Sequence, residues 1–529
     1  MACACAVSAR VWFPGARARG ASVSLGEARA RGRRGDLATM HAPRVAVVCG
    51  GGGGHTREVD ADGPRYVPTV GTGLSSLGGC RGDRAGGASR ARRGAGSVMC
   101  GAQVEGPPGE SVPPPSWSTG AGQPVSKLSK PRLPPLDSMR FFLIGYICVG
   151  HFIQCAGPSA LVAGLFGQIN VAVGAFFVLS GYVAAYTATE LGAFEASARL
   201  RPETAYTLGR VAGFYPLHLL VLVLFSPMFI YVDLFYNGGV AALSHGLMSL
   251  TLTQAWFPAH AEVWNAPTWF LSALTFAMAV LPYALGPIAR LSSRNLKRLL
   301  GCLTAVALLA KVAYSYDLGA WALFEGTLRK HPNILLWNVT RFHPFYALVE
   351  VLMGAAACRL VMVQGAVHPE TGEKEPAVPA ASPALPLLAI LATFVARAAG
   401  LLTLNDGLTR SLIFIPLFLA FLVRVHRQCL EDDKPPFSLT AVLSTPFLVY
   451  LGTLSFPIYV LHSPIGQLFY KKAVAKILFG RVMTGIPAFF AWLAVVLVSA
   501  ALVNKFFVEN KVVQQKTKDA VKAASAMLA

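Results

Sequence analysis

The sequence predicts an all-α integral membrane protein with about ten transmembrane helices in one bundle, preceded by a disordered N-terminal tail. Hydrophobic residues make up 54% of the 529 positions and charged residues only 14%, and the mean hydropathy is +0.51. From Pro135 onward, apolar runs alternate with short polar loops. This composition and this alternation are typical of a multi-span membrane protein and unusual for a soluble one.

The N-terminal tail, residues 1–135, is rich in Gly, Ala, Arg and Pro and has no sustained apolar period, which predicts disorder. It holds 18 Lys and Arg against 8 Asp and Glu, so it carries half of the chain's net charge of +20. Its Arg-rich, acid-poor start is typical of an organelle transit peptide. An extended gene model, with Met40 or Met99 as the true start, would give the same composition.

The transmembrane domain is predicted over residues 136–508, where the apolar runs are long enough to cross a bilayer as helices. They lie near 139–155, 168–189, 214–236, 266–289, 299–316, 343–363, 384–404, 407–425, 447–470 and 484–507. An even number of spans puts both termini on one side of the membrane. Basic residues around 127–140, 290–298 and 505–522 predict that this side is cytoplasmic, so residues 509–529 form a basic cytoplasmic tail.

Several function classes are disfavoured by composition. The positive charge lies in the tail, the loops and the C-terminus, without a basic domain interleaved with aromatic residues, so nucleic acid is not an expected partner. The ten cysteines include no CxxC pair, which predicts free thiols rather than a disulfide framework or a zinc site. The sequence predicts no bound metal and no permanently bound cofactor, and it leaves the oligomeric state open.

Arg140 and His151 lie within or beside the first apolar run, eleven positions apart. On one helix that spacing is about three turns, roughly 16 Å, and it places both side chains near the same face. Ionisable groups at membrane depth are costly and usually mark a functional path. An imidazole can move protons near neutral pH, whereas an arginine keeps its charge and can hold an anion. A snorkelling arginine and a hydrogen-bonded core histidine are the structural alternative.

Two further segments carry candidate binding residues. Ser180 and Tyr182 belong to the run Gly174–Tyr182, whose small residues would allow either close helix packing or a substrate tunnel. Arg210 lies in the segment Tyr206–His218, where a cation at the cytoplasmic mouth could bind phosphate groups. A positive-inside anchor is the structural alternative for this arginine.

Two later segments complete the candidate set. Trp264 and Asn265 open a tryptophan-rich motif, and paired tryptophans serve as interface anchors or line a substrate mouth. In the run Ser455–Pro464, two prolines are expected to break an apolar helix, and broken helices at membrane depth normally line a cavity. His462 would then be a polar ligand in that cavity, with Tyr459 one turn before it.

Together these segments resemble the acyltransferase-3 family of multi-pass membrane acyltransferases. The resemblance covers residues 135–508, nearly all of the apolar part of the chain. Its motifs are LDSMRF (Leu136–Phe141) followed by His151, FFVLSGY (Phe176–Tyr182), RVAGFYPLHLL (Arg210–Leu220), WNAPTWFLS (Trp264–Ser272), the run from Glu350 to Gly354, and SFPIYVLHSP (Ser455–Pro464).

The resemblance implies a ten-helix bundle that moves an acyl group, often acetyl, from cytoplasmic acyl-CoA to a hydroxyl of a carbohydrate or of another small or lipid-linked acceptor. It implies that His151 and Arg140 are the catalytic pair. Arg210 would contact the donor, and Ser180 and Tyr182 would line the donor tunnel. The residues assigned to the substrate side and the late motif are His462, Tyr459, Trp264, Asn265 and Glu350.

Two positions depart from the family pattern. Gly213 stands where a second arginine often follows Arg210, and Leu274 stands where a glutamate often follows the tryptophan-rich motif. Either departure could weaken donor binding, so a catalytically inactive relative is one alternative. A proton-coupled transporter of small anions or sugars, using the same Arg and His, is another. His151 could act as a general base or as an acyl-carrying nucleophile.

Overall fold

The computed structural model describes residues 130–322, 333–431 and 437–528, and within these ranges the protein is helical and has no β-strand. All but the last residues of the predicted N-terminal tail lie outside them. The α-helices are α1 (Pro134–Phe152), α2 (Ala160–Phe166), α3 (Ile169–Ala172), α4 (Gly174–Ala188), α5 (Glu203–Ala212), α6 (Tyr215–Tyr236), α7 (Gly239–Thr251), α8 (Trp269–Ala289), α9 (Ser293–Asp317), α10 (Ile334–Phe342), α11 (Pro344–Met362), α12 (Ala384–Ala398), α13 (Asp406–Leu408), α14 (Ile415–Leu430), α15 (Leu439–Leu443), α16 (Pro446–Thr453), α17 (Ser455–Tyr470), α18 (Lys472–Phe479), α19 (Ile486–Val503) and α20 (Lys511–Met527).

Eight helical segments among the described residues are long and apolar enough to cross a membrane. They are Pro134–Ala156, Ala160–Ala188, Tyr215–Tyr236, Ala266–Ala289, Ser293–Asp317, Ile334–Met362, Asp406–Leu430 and Ile486–Val508. A ninth span is possible if α16 and α17, which are bent by 48° relative to each other, cross as one broken helix. The remaining predicted run, 384–404, contains only the 15-residue helix α12. The predicted fold class, an all-α integral membrane protein with about ten spans, is confirmed.

The bend between α16 and α17 lies at Leu454 rather than at a proline. Pro457 has no N–H to donate to the carbonyl of Thr453, one turn earlier, and α16 ends at that residue. Pro464, by contrast, lies inside the continuous helix α17. The sequence therefore predicted a broken helix correctly, but the break precedes the proline because the missing hydrogen bond belongs to the turn before it.

The bundle has two ends, which we call the first face, where α1 begins, and the second face, where α1 ends. Helix α4 runs antiparallel to α1: the Tyr186 hydroxyl, in its last turn, donates to the carbonyl of Pro131 just before α1. At the other end, Ile169 of α3 packs against Gly150 in the last turns of α1, where an added Cβ would lie 2.9 Å from the Ile169 side chain. The short helix α3 therefore lies at the second-face end of α1, and α4 leads back to the first face.

The ends of two further helices, α11 and α8, meet at the first face. Arg359, near the end of α11, donates from Nη1 to the carbonyl of Glu190 (2.7 Å) and from Nη2 to the carbonyl of Ala289 (3.0 Å). Because Ala289 ends α8, this helix begins at the second face and ends at the first. Arg359 is fully buried. Each of these hydrogen bonds satisfies a carbonyl at or near a helix end that would otherwise have to bond to water.

Helices α4 and α11 cross where two glycines face each other's backbone. A Cβ added to Gly181 would lie 1.8 Å from the carbonyl oxygen of Val351, and a Cβ added to Gly354 would lie 1.9 Å from the carbonyl oxygen of Val178. No larger residue fits at either position without moving a helix. Small residues permit this kind of approach in membranes, where close packing replaces the hydrophobic effect as the force between helices.

A buried ionic cluster lies beside this crossing. Arg410, in the π-helical turn Thr409–Phe414, forms an ion pair with Glu350 of α11. Lys311 of α9 donates to the Ser411 hydroxyl at 2.5 Å. Glu350 is 1% exposed, Lys311 4% and Arg410 6%. Charges at this depth are tolerated because each one is paired or hydrogen-bonded inside the bundle.

Candidate functional site

A cavity of about 1070 Å³, its open mouth included, lies inside the bundle and is bordered by residues from α1, α3, α4, α5, α8, α10 and α17. Most of its wall is apolar. The polar side chains that border it are Arg140, His151, Asn170, Ser180, Arg210, Glu262, Arg341, Ser455 and Tyr459. The cavity therefore contains residues from near both faces of the bundle.

The structure brings Arg140 and His151 to one wall of this cavity. Ile147, between them on α1, borders it as well. Arg140 is 8% exposed, and its Nη1 donates to Asp137 Oδ1 at 2.6 Å. That ion pair compensates the arginine's charge where α1 enters the bundle, because Asp137 lies one turn earlier on the same side of the helix. The sequence prediction that the two residues share one helix face agrees with this geometry.

Arg210 borders the cavity near the first face. Its Nη2 donates to the hydroxyl of Thr187 in the last turn of α4, and its guanidinium lies 5.0 Å from the centre of the Tyr206 ring. Ser180 also borders the cavity, with its hydroxyl donating to the Phe176 carbonyl one turn earlier. One end of the cavity thus contains two guanidinium groups, Arg140 and Arg210, at the end of the bundle where α1 begins.

His151 forms a pair with His462 of α17: Nδ1 of His151 lies 3.3 Å from Nε2 of His462. The Nδ1 atom of His462 lies 3.1 Å from the carbonyl oxygen of Ile458. A carbonyl only accepts, so neutral His462 has its proton on Nδ1 and a lone pair on Nε2. Nδ1 of His151 must then donate to that lone pair. The remaining nitrogen of His151, Nε2, is left with a lone pair of its own.

The close approach of α17 to α1 makes this pair possible. A Cβ added to Gly466, one turn after His462, would lie 2.1 Å from the Phe152 ring. His462 is fully buried and does not border the cavity. Its hydrogen-bond distance to His151 connects it to the cavity wall. Trp492 also donates to the backbone carbonyl of His462, at 3.4 Å, and holds that turn of α17 in place.

Tyr459 and Ser455 of α17 border the cavity together. The Tyr459 hydroxyl donates to the carbonyl of Pro267 at 2.5 Å, which ties α17 to the start of α8. Asn265 makes a second tie, from its amide nitrogen to the carbonyl of Val460 at 2.9 Å. Of the two residues predicted from the tryptophan-rich motif, neither Trp264 nor Asn265 borders the cavity. Asn265 positions the helix that bears Tyr459 and His462.

Trp264 belongs to a separate polar cluster at the end of α6. Its indole nitrogen donates to Asp233 Oδ2 at 2.6 Å, and His245 Nδ1 lies 2.9 Å from the same oxygen. His245 Nε2 in turn lies 3.1 Å from Nδ1 of His260, in the loop between α7 and α8. Burial and the neighbouring His245 lower the pKa of His260. This cluster fastens the loop that leads into the cavity wall at Pro267.

Two other predicted site residues lie outside the cavity wall. Tyr182 is fully buried, and its hydroxyl lies 2.8 Å from His426 Nδ1. It is two residues from Ser180, which on an α-helix is a rotation of about 200°, so the two side chains cannot border the same cavity. Glu350 is paired with Arg410 in the ionic cluster. Glu350 does not border the cavity.

The structure adds cavity residues that the sequence motifs did not suggest. Arg341 of α10 and Glu262, in the loop before α8, form an ion pair with an N···O distance of 3.9 Å. Arg341 is buried, whereas the Glu262 side chain is 46% exposed. Asn170 of α3 is the third such residue. In the sequence, only the charge of Arg341 at the edge of an apolar run could have indicated a site residue. The ion pair with Glu262 could not be predicted, because the two residues are 79 positions apart in the chain.

Gly213 and Leu274, the two departures from the family pattern, both border the cavity. At Gly213 the cavity wall has no side chain, and at Leu274 it has an isobutyl group. The family pattern often has an arginine and a glutamate at these two positions. No group of three His, Cys, Asp or Glu side chains within the described ranges could hold a metal ion.

Comparison with known proteins gives one family match. No curated protein and no solved structure matches the chain. The model of the acyltransferase domain family Acyl_transf_3, however, matches residues 134–505, well over half of the 529 positions. The match begins at the first residue of α1 and ends in the π-helical turn after α19, so it covers the membrane bundle and its cavity. The chain therefore belongs to the acyltransferase-3 family, as the motifs predicted.

Proposed function

We propose that this membrane acyltransferase moves an acyl group, such as acetyl, from cytoplasmic acyl-CoA to a hydroxyl of a carbohydrate or of another small or lipid-linked acceptor. The observation that carries the proposal is the single cavity that contains Arg140, Arg210 and the His462-supported His151. One end of the cavity supplies two guanidinium groups, and the other supplies the lone pair of an imidazole nitrogen. A donor entering from the first face would meet the arginines first and the imidazole last.

The donor end is suited to phosphate groups. Guanidinium groups form charge-assisted and often bidentate hydrogen bonds to phosphate, and CoA carries several phosphates. The first face also gathers basic residues of the chain, among them Arg210, Arg290 and Arg359, which supports a cytoplasmic orientation for this face. Beyond the arginines the wall is apolar at Ile147 and Leu179. An acyl thioester on an extended arm could pass this stretch without losing hydrogen bonds.

The acceptor would enter from the second face, where the ion pair of Glu262 and Arg341 borders the cavity. A carboxylate and a guanidinium offer acceptors and donors to a polyhydroxylated ligand, and Trp269 provides an aromatic surface at the same end. This combination supports a carbohydrate or another polar hydroxyl-bearing acceptor over a purely apolar one.

His151 Nε2 would remove the proton of the acceptor hydroxyl as its oxygen bonds to the thioester carbonyl carbon. When the carbon–sulfur bond then breaks, the proton passes to the leaving thiolate. The alternative, in which Nε2 first takes the acyl group itself, uses the same lone pair. His462 acts through His151 in both routes, because its Nε2 accepts the Nδ1 proton and so fixes the tautomer.

The direct test uses membranes that contain the expressed protein, radiolabelled acetyl-CoA and a panel of sugar and lipid-linked acceptors. Membranes without the protein are the control. Label transferred to an acceptor only when the protein is present would support the proposal. If the protein inserts normally and labels no acceptor with any acyl-CoA offered, while it takes up sugars or anions, the transporter alternative replaces it.

Arg210→Ala should raise the KM for acyl-CoA by roughly 30-fold, the equivalent of about 2 kcal/mol for a lost hydrogen bond to a charged group. The value of kcat at saturating donor should change little, because the phosphates lie far from the reacting carbon. Steady-state kinetics with varied donor checks this split, with Arg199→Ala, an exposed arginine outside the cavity, as the control. A fall in kcat with unchanged KM would contradict the donor-binding role.

His462→Ala should lower kcat by about 10- to 100-fold, a loss typical when the group that orients a functional imidazole is removed. His462→Gln should retain more activity, because its side-chain oxygen can take the place of Nε2 and accept from His151. The pH–rate profile should shift in the alanine variant, since the tautomer of His151 is no longer fixed. Equal activity of the Ala and Gln variants would argue that His462 only fills space.

A further inference from the structure

Asn170 is a buried amide on the cavity wall that makes no use of its side-chain nitrogen. It lies in α3, is 6% exposed and borders the cavity. The nitrogen Nδ2 has no hydrogen-bond partner within the part of the chain that the structure describes. Leaving a buried donor unsatisfied costs about 1–3 kcal/mol, so a native fold that keeps one calls for an explanation.

The neighbouring amide, Gln168, shows that this segment can satisfy its polar groups. Its Nε2 donates to the carbonyls of Gly164 (3.1 Å) and Phe394 (2.8 Å), and its Oε1 accepts from Arg397 at 2.7 Å. Gln168 thus holds the start of α3 in place through both ends of its amide. The contrast two residues later indicates that the unused donor of Asn170 is a property of its position on the cavity wall.

The backbone of Asn170 is fixed from the other side. Arg410 Nη1 donates to the Asn170 carbonyl at 3.3 Å, and Arg410 is held by its ion pair with Glu350. The same guanidinium occupies the space above Gly174, where an added Cβ would lie 2.8 Å from Nε. The buried ionic cluster therefore holds the main chain of Asn170 through a hydrogen bond to its carbonyl, and it makes no hydrogen bond to the side-chain nitrogen.

Asn170 also lies beside the turn of α1 that carries His151. An added Cβ on Gly150, the residue before His151, would lie 2.9 Å from Ile169, the residue before Asn170. The amide can rotate about its last side-chain torsion at little cost, because that torsion is soft and no hydrogen bond of the side chain would break. An N–H group can in this way turn toward the space in front of His151.

We propose that Asn170 donates a hydrogen bond to the thioester carbonyl oxygen as this oxygen becomes negatively charged during acyl transfer. This inference rests on the proposed function and adds a catalytic residue to it. The incoming oxygen, or His151 Nε2 in the alternative route, bonds to the carbonyl carbon and the π electrons move onto the carbonyl oxygen. They return when the carbon–sulfur bond breaks and the thiolate leaves. A hydrogen-bond donor near the developing charge lowers the barrier to both steps.

The test compares Asn170→Ala, Asn170→Asp and Val171→Ala with the wild type in the acyl-transfer assay. Val171 is a neighbour on α3 that is fully buried and does not border the cavity, so it reports general damage to the segment. For Asn170→Ala we expect a fall in kcat of about 10²–10³-fold, the range seen when one oxyanion donor is removed. The KM for acyl-CoA and the thermal midpoint should stay near wild type. Asn170→Asp should be at least as slow, because an ionised carboxylate only accepts hydrogen bonds.

Each outcome decides the question. If the wild type transfers label and Asn170→Ala keeps its kcat, the oxyanion role is overturned and the proposed function stands. An equal loss in Asn170→Ala and Val171→Ala, with a lowered thermal midpoint in both, would make the residue structural and likewise overturn the role. If the wild type itself transfers no acyl group, the proposed function falls and this inference falls with it.

Discussion

Replacement of His151 by alanine is expected to lower acyl transfer by about 10²–10⁴-fold, the range that a positioned acid–base group contributes, while the protein still inserts and folds. The imidazole borders the cavity, so its loss leaves space that water or substrate can fill. His462 would keep its hydrogen bond to the Ile458 carbonyl and lose only its partner in the pair. The rate should therefore fall without a matching fall in the amount of folded protein.

The measurement is label transfer from acetyl-CoA at saturating donor, together with the thermal midpoint of the detergent-solubilised protein. Arg199→Ala, the exposed arginine outside the cavity, is again the control. Wild-type transfer by the His151 variant would remove this residue from the mechanism. Incubation with donor alone separates the two routes: label that stays on the wild-type protein and is absent from the variant indicates an acyl-histidine, and its absence from both indicates a general base.

Substitution of Gly181 by alanine is expected to cause the largest loss of stability of any single methyl group added to the bundle interior. The new Cβ would lie 1.8 Å from the carbonyl oxygen of Val351, which belongs to backbone and cannot turn aside. Overpacking against movable side chains already costs about 1–3 kcal/mol, and here α4 and α11 must separate. Gly354→Ala should have a similar effect, since its Cβ would meet the Val178 carbonyl at 1.9 Å.

Gly286→Ala in α8 is the control for this prediction, because an added Cβ there meets nothing within 4 Å. It should melt at or slightly above the wild-type temperature, since alanine favours helix over glycine by about 1 kcal/mol. Thermal unfolding of the solubilised protein, followed by the amount that remains monodisperse, gives the ranking. A midpoint for Gly181→Ala that equals the wild-type value would show that the two helices do not approach this closely.

Local sequence patterns predicted contacts within one helix but not contacts between helices that are distant in the chain. Small residues in the second span allowed either close helix packing or a tunnel, and Gly181 lies at a close helix crossing. No pattern could identify Gly354, more than 170 positions later, as its counterpart. Periodicity on one helix was enough to put Arg140 and His151 on one wall. The contact between His151 and His462 joins residues 311 positions apart, so it depends on how α1 and α17 pack.

Tyr182 and Asn170 show two ways in which motifs fail to identify the residues of the cavity wall. Tyr182 was grouped with Ser180 because both belong to one motif, yet helical rotation sends its hydroxyl to His426. Asn170 belongs to no motif, and only the fold reveals that its amide is buried without a partner on the cavity wall. Motif membership identified the helices that build the site, whereas the direction of each side chain required the structure.

The cavity is bordered by residues near both faces of the bundle, from Arg210 to Glu262. A cavity that extends between the two faces could also let ions leak across the membrane. The apolar stretch at Ile147 and Leu179 separates the two polar ends. An apolar stretch in such a path disfavours the entry of water and ions. In the proposed reaction, this apolar stretch would let a hydroxyl from one side meet a thioester from the other while ions stay excluded from the passage.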